Sequence, residues 1–129
     1  MRKLPIGDRP PEGKLHGRGV DMLQSAKSLQ GYFVEATDGN VGHVEDLIIA
    51  EEDWAVRYLV IDTRNWLAGK RVLISTEWIE AVDLPDRTVA LTVSREQVLN
   101  SPPFDPSQPV NRQYEMRLYD YYGRPKYWA

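Results

Sequence analysis

From residue 32 to residue 93 apolar and polar positions alternate in short runs broken by turn residues, a period that predicts strands, not helices. Residues 32–36 are aromatic and β-branched, as strands prefer, and run into Asp38-Gly39-Asn40, where glycine or asparagine supplies the positive φ of a tight hairpin. The return strand is predicted over 41–49, with Gly42 marking a bulge or a close backbone approach. The acidic turn Glu51-Glu52-Asp53 leads to the strongest strand, 54–61. Trp54, Val56, Tyr58 and Val60 share one of its faces, and Ala55, Arg57, Leu59 and Ile61 the other. Both faces are largely apolar, which suits a closed barrel or a strand covered on its outer side. A loop over 62–69 carries Trp66-Leu67, and strands follow at 71–75, 81–84 and 88–93, the last two joined by Pro85-Asp86-Arg87. Six strands at this spacing predict a mainly β protein, a small antiparallel barrel or sandwich.

The pattern changes at both ends. Residues 1–20 show no periodicity and contain Pro5, Pro10, Pro11, Gly13, Gly17 and Gly19, so they are read as a disordered arm, with order starting near Met22 and the barrel spanning 21–94. Ser94, with Gln97 three residues on, fits a capping box and starts a helix of one or two turns that Pro102 and Pro103 stop. Asn111 is placed to cap a second helix ending near Tyr122, with Gly123 just past its end and Pro125 beyond. Tyr114, Leu118, Tyr121 and Tyr122 fall on one face of that helix. Six of the thirteen aromatic residues lie in the last sixteen positions, so residues 95–129 are expected to pack on the barrel or on a second subunit.

Length and charge narrow the function. The 129 residues suffice for one domain, and the absence of cysteine removes disulfides, thiolate metal sites and cysteine nucleophiles. Residues 1–20 carry five basic against two acidic side chains, residues 21–104 seven against fourteen, and residues 105–129 four against three. An acidic body disfavours nucleic acid, which clustered Lys and Arg would bind. The longest apolar runs, 47–50 and 58–61, are too short to cross a bilayer, and the start of the chain lacks the apolar stretch of a signal peptide, so a cytoplasmic protein is expected.

No catalytic spacing is visible. His16 lies in the arm; His43 and Glu45 alternate on one strand face, but no third or fourth metal ligand accompanies them. Asp38-Gly39-Asn40 does not open a calcium loop, because the twelfth position is Ile49. Gly69-Lys70 lacks the glycines of a phosphate loop, and Ser75 has no histidine partner at a recognisable spacing. No metal, no cofactor and no enzymatic activity are therefore expected. A barrel using Glu45, Asp46 and Asp62 around a small ligand is one alternative, and an RNA or ribosome accessory role is another. The candidate contact residues are Trp66 and Leu67 in the loop, and Tyr114, Leu118, Tyr121 and Trp128 in the aromatic tail.

Taken together, the ATDGNVGHVED hairpin, the WAVRYLVIDT strand, the NWLAGKRVLIS loop and strand and the SREQVLNSPPFDP segment resemble the PRC-barrel family. The YDYYGRPKYW ending is similar to that of bacterial members outside photosynthesis, and the resemblance spans roughly residues 22–129. It implies a six-stranded antiparallel barrel that serves as an interaction or assembly module, as in the cytoplasmic domain of the photosynthetic reaction centre H subunit or a ribosome maturation factor. The family shares no catalytic residues, so the resemblance supplies none. Stand-alone relatives often carry two tandem barrels, and the single copy here implies a homodimer with an unidentified protein partner.

Overall fold

The chain reverses sharply at Thr37-Asp38 between β2 (Phe33–Ala36) and β3 (Gly39–Ala50). The structure, a computed structural model, describes residues 2–3, 27–50, 55–63 and 70–128. The expected onset of order near Met22, the acidic turn Glu51-Glu52-Asp53, the strand start at Trp54, Trp66 and Leu67, and His16 all fall outside the described residues. Within the span expected to be a disordered arm, Arg2–Lys3 form a short strand, β1, beside Ile48 and Ile49 of β3. The remaining elements are β4 (Ala55–Asp62), β5 (Arg71–Ser75), a 3₁₀ turn (Thr76–Trp78), β6 (Ile79–Asp83), β7 (Thr88–Leu91), α1 (Arg95–Leu99) and α2 (Arg112–Tyr122).

Six strands follow the path β5-β4-β3-β2-β7-β6, with β1 paired beside β3. Two expectations are corrected. The sheet is mixed, because β2 and β7 run parallel, with Phe33 opposite Thr88 and Val34 opposite Val89. The path also has two ends, β5 and β6, which are not paired to each other among the described residues, so the sheet is open along this path where a closed barrel was expected. Alternation fixes which residues share a face but says nothing about the direction of a neighbour far away in the chain.

Gly42 sits at an irregularity of the first hairpin. Val34 pairs with Gly42 and Glu35 with Asn40, which leaves Val41 as an extra residue on β3. Gly42 adopts φ 136°, and a Cβ there would overlap the carbonyl oxygen of Asp62 on the neighbouring strand. Only glycine lets the two backbones approach this closely.

β4 is buried on both faces, since Tyr58, Leu59, Val60 and Ile61 are all inaccessible. Leu59 and Ile61 face the same side as one another, and with Val34, Val44, Leu47, Ile74, Val89 and Leu91 they belong to one continuous aliphatic core. The other side of β4, at Tyr58, lies beneath α2. The strand is thus covered on its outer face by a helix, the second of the two arrangements its sequence permits.

Candidate interaction surface

α2 forms where local signals demand it. The Asn111 side chain accepts the Tyr114 amide at 2.8 Å, and Gly123 ends the helix in the left-handed conformation at φ 65°. Its buried face is Glu115, Leu118, Tyr119 and Tyr122. Tyr119 meets Trp78 edge-on with ring centroids 5.2 Å apart, and Tyr122 lies 4.6 Å from the same indole. The Tyr119 hydroxyl donates to Ser75 Oγ at 3.3 Å.

A carboxylate is buried under the helix. Glu115 is 3% exposed, and its Oε2 accepts from the Tyr58 hydroxyl at 2.5 Å and from the Tyr127 hydroxyl at 2.7 Å. Arg112 Nε lies 3.7 Å from Oε1, and the Arg112 guanidinium rests on the Trp128 ring at 4.2 Å. Burial first, and the bond to Glu115 second, push the Tyr58 phenol far up and hold its proton. The Tyr127 phenol is raised for the same two reasons in the same order. The helix is therefore docked by a satisfied polar clamp inside an aromatic layer.

Docking α2 leaves its other side to form an open groove of about 530 Å³ with the segment that precedes it. That segment is tied to the sheet by the Val72–Pro103 bridge and by the Phe104 amide donating to Arg71 O at 2.8 Å. The Tyr114 hydroxyl donates to Pro102 O at 2.9 Å, and the Phe104 and Tyr114 rings lie 6.5 Å apart. Phe104, Val110, Tyr114 and Met116 supply the apolar lining, while Asp105, Arg117 and Asp120 supply charge. Asp105 accepts from the Ser107 hydroxyl and amide, which hold its carboxyl below the usual range. Met116 is 45% exposed, an apolar side chain on the solvent side of an otherwise polar helix face.

The contact residues expected from sequence separate. Tyr114 lines the groove. Leu118 has no exposed surface and holds α2 to the sheet. Tyr121 stands at the edge of the buried face, with its hydroxyl donating to Gln97 O at 2.7 Å. Trp128 is half-buried against Tyr119, 5.2 Å away. Trp66 and Leu67 lie outside the described residues, although the ends of their loop are pinned: Thr63 N donates to Lys70 O at 3.0 Å and Lys70 N to Thr63 Oγ1 at 3.1 Å. Lys70 Nζ reaches Ser101 O at 2.5 Å, and desolvation lowers its pKa. Phe104, Val110, Met116 and Arg117 were not singled out by sequence; the one local signal for them is Met116 on the face away from Leu118.

The carboxylates considered for ligand chemistry are spread over the sheet. Glu45 takes a two-pronged contact from Arg71 at 2.6 and 3.0 Å, and Asp46 accepts the Leu47 amide at 2.9 Å. Asp62 is buried, with His43 Nε2 at 3.9 Å. Among the described residues no group of three or more His, Cys, Asp or Glu is placed to hold a metal ion.

The PRC-barrel domain model matches residues 25–98, more than half of the chain. The chain belongs to the PRC-barrel family. The PRC-barrel match ends inside α1, so α2 and the groove lie C-terminal to the matched portion. A comparison with curated proteins finds no match. Among the described residues of this PRC-barrel protein, no helix is long and apolar enough to cross a membrane.

Proposed function

We propose that this PRC-barrel protein is a non-catalytic module for protein interaction and complex assembly, working in the cytoplasm as a homodimer. The observation that carries the reading is the groove between α2 and residues 103–111, where exposed Met116 and half-buried Tyr114 stand over buried Phe104 beside Arg117 and Asp120. An aromatic and aliphatic floor with a charged rim is the composition of a protein contact site. The aliphatic core beneath the sheet supports the same reading, because the carboxylates considered for ligand chemistry do not converge there. The relation to reaction centre H-type domains belongs to this proposal as a shared mode of action, holding a larger complex together.

The test is a photo-crosslinking amino acid placed at Met116, compared with one at exposed Glu35 on β2. Discrete adducts at Met116 and none at Glu35 are expected in cells of the native host. Identical adduct patterns at the two positions overturn the groove as the contact site. A turnover abolished by one point substitution overturns the non-catalytic part, and a monomer mass in sedimentation at tens of micromolar overturns the homodimer.

A further inference from the structure

β6 ends the sheet path, with β7 on one side and no strand on the other among the described residues. Residues 80–87 are all exposed. Pairing across β2, β7 and β6 sets Val34, Val89 and Val82 in one row on the core side. Val34 and Val89 are fully buried, but Val82 is 40% exposed, because the row stops there. Leu84, just past the strand, is 64% exposed. The core layer is thus one strand short of covering its own last apolar position.

The charge around this edge is predominantly acidic, with Arg87, exposed at the end of the turn that follows, as the one base between residues 76 and 87. Glu77, Glu80, Asp83 and Asp86 are exposed, and no Lys or Arg occurs between residues 76 and 86. The Asp83 carboxylate accepts the Asp86 amide at 3.0 Å, which fixes the turn that follows the strand. Acidic side chains on an edge strand repel a second copy of the same strand. In an antiparallel self-pairing centred on Ala81, Glu80 of each chain would fall opposite Val82 of its mate and next to the mate's Asp83, so like charges would gather along the seam. A basic strand meets the opposite condition: each Lys or Arg beside the edge finds a carboxylate, and an aliphatic residue between them extends the Val34–Val89–Val82 row.

We propose that the free edge of β6 is a strand-addition site for an extended segment of a partner protein in which Lys or Arg alternates with aliphatic residues. The inference rests on the interaction-module reading but places a contact on a different surface from the groove. Backbone hydrogen bonds to β6 provide the pairing, Val82 and Leu84 receive the aliphatic side chains, and the acidic stripe selects the basic sequence and excludes like-charged copies.

The probe is a synthetic alternating Lys-Val peptide, titrated into the labelled full chain and followed by amide chemical shifts. Shifts are expected on β6 and the 84–87 turn, with affinity at least tenfold above that of an alternating Glu-Val peptide, and weakening as salt rises. The Glu80→Lys, Asp86→Lys double variant, altered only at exposed positions, is expected to lose the Lys-Val peptide while keeping its melting temperature. A peptide N-methylated on alternate residues is expected to fail, since it cannot complete the ladder. Equal binding by the N-methylated peptide reduces the contact to charge attraction and overturns strand addition, as do shifts confined to other elements. Because the probe is synthetic, its failure leaves the crosslinking result at Met116 untouched, and failure at Met116 leaves this titration informative.

Discussion

Replacing Glu115 by alanine tests whether a polar clamp, and not only apolar burial, holds α2 on the sheet. Tyr58 is fully buried and its hydroxyl has the Glu115 carboxylate as its acceptor at 2.5 Å. Without that acceptor the phenol loses a charge-assisted bond and stays desolvated, a cost of about 1–3 kcal/mol. Tyr127 is only half-buried, so its hydroxyl can turn to water and recover most of its loss. Arg112 has about half of its side chain in solvent, and its 3.7 Å contact adds at most about 0.5 kcal/mol. The truncated side chain adds a small cavity, offset in part because a buried charge is removed. The expected sum is about 2–4 kcal/mol, roughly 8–15 °C in melting temperature for a chain of this size. Glu115→Gln keeps one acceptor oxygen and is expected to lose about half as much. Urea unfolding of both variants, with Glu35→Ala as an exposed control, measures the difference. A loss below about 0.5 kcal/mol for Glu115→Ala, the range of a neutral surface change, would refute the clamp. Hydrogen exchange supplies the second reading: α2 amides should lose protection while β4 and β5 keep theirs.

Three further outcomes follow from features already described. Gly42→Ala forces a side chain into the Asp62 carbonyl at a positive φ, and should cost about 2–5 kcal/mol in chemical unfolding; near-wild-type stability would show that the two backbones can separate. Tyr58, Tyr114, Tyr119, Tyr122 and Tyr127 all have raised phenol pKa values, chiefly through burial, so the folded chain binds more protons than the unfolded one above pH of about 10. Stability should be intact below that pH and fall above it, with tyrosinate absorbance rising in step with loss of fold; smooth titration of these phenols in a folded chain would contradict their burial. Asn111→Ala removes the cap of α2 and should cost about 1 kcal/mol, with thermal melting as the measurement and an unchanged midpoint as the contrary result.

What was readable in the residues was whatever short-range chemistry decides. Ser94 with Gln97, and Asn111 with Gly123, name helix ends through bonds that span three or four residues, and both helices lie where those signals place them. The Asp38-Gly39 reversal and the close approach at Gly42 are equally local. The parallel pairing of β2 with β7 is not, because it joins strands at opposite ends of the sheet's sequence and leaves alternation unchanged. The buried face of α2 was misplaced by one position for a related reason. Counting apolar residues selects Tyr121, whereas the structure buries Tyr119 and Glu115, the latter because two phenols from elsewhere in the chain donate hydrogen bonds to its carboxylate. A buried acid with distant partners reads in one dimension as a solvent-facing acid. The groove shares that difficulty, since Phe104 and Met116 become neighbours only after α2 has docked.

The parallel β2–β7 pair also bears on the order of assembly. Phe33 can meet Thr88 only after the chain between them has formed a closed loop, at an entropic cost of roughly 3–4 kcal/mol beyond a constant. β2 through β5 are joined by neighbouring antiparallel pairs and need no such closure. The β6–β7 hairpin can form alone but is expected to attach late, and it carries the few residues of the sheet left exposed on both faces. Its amides should open by a sub-global route well below the free energy of complete unfolding. A strand bound along β6 would then act as a fastener on the last-added piece of the sheet, slowing local opening there first.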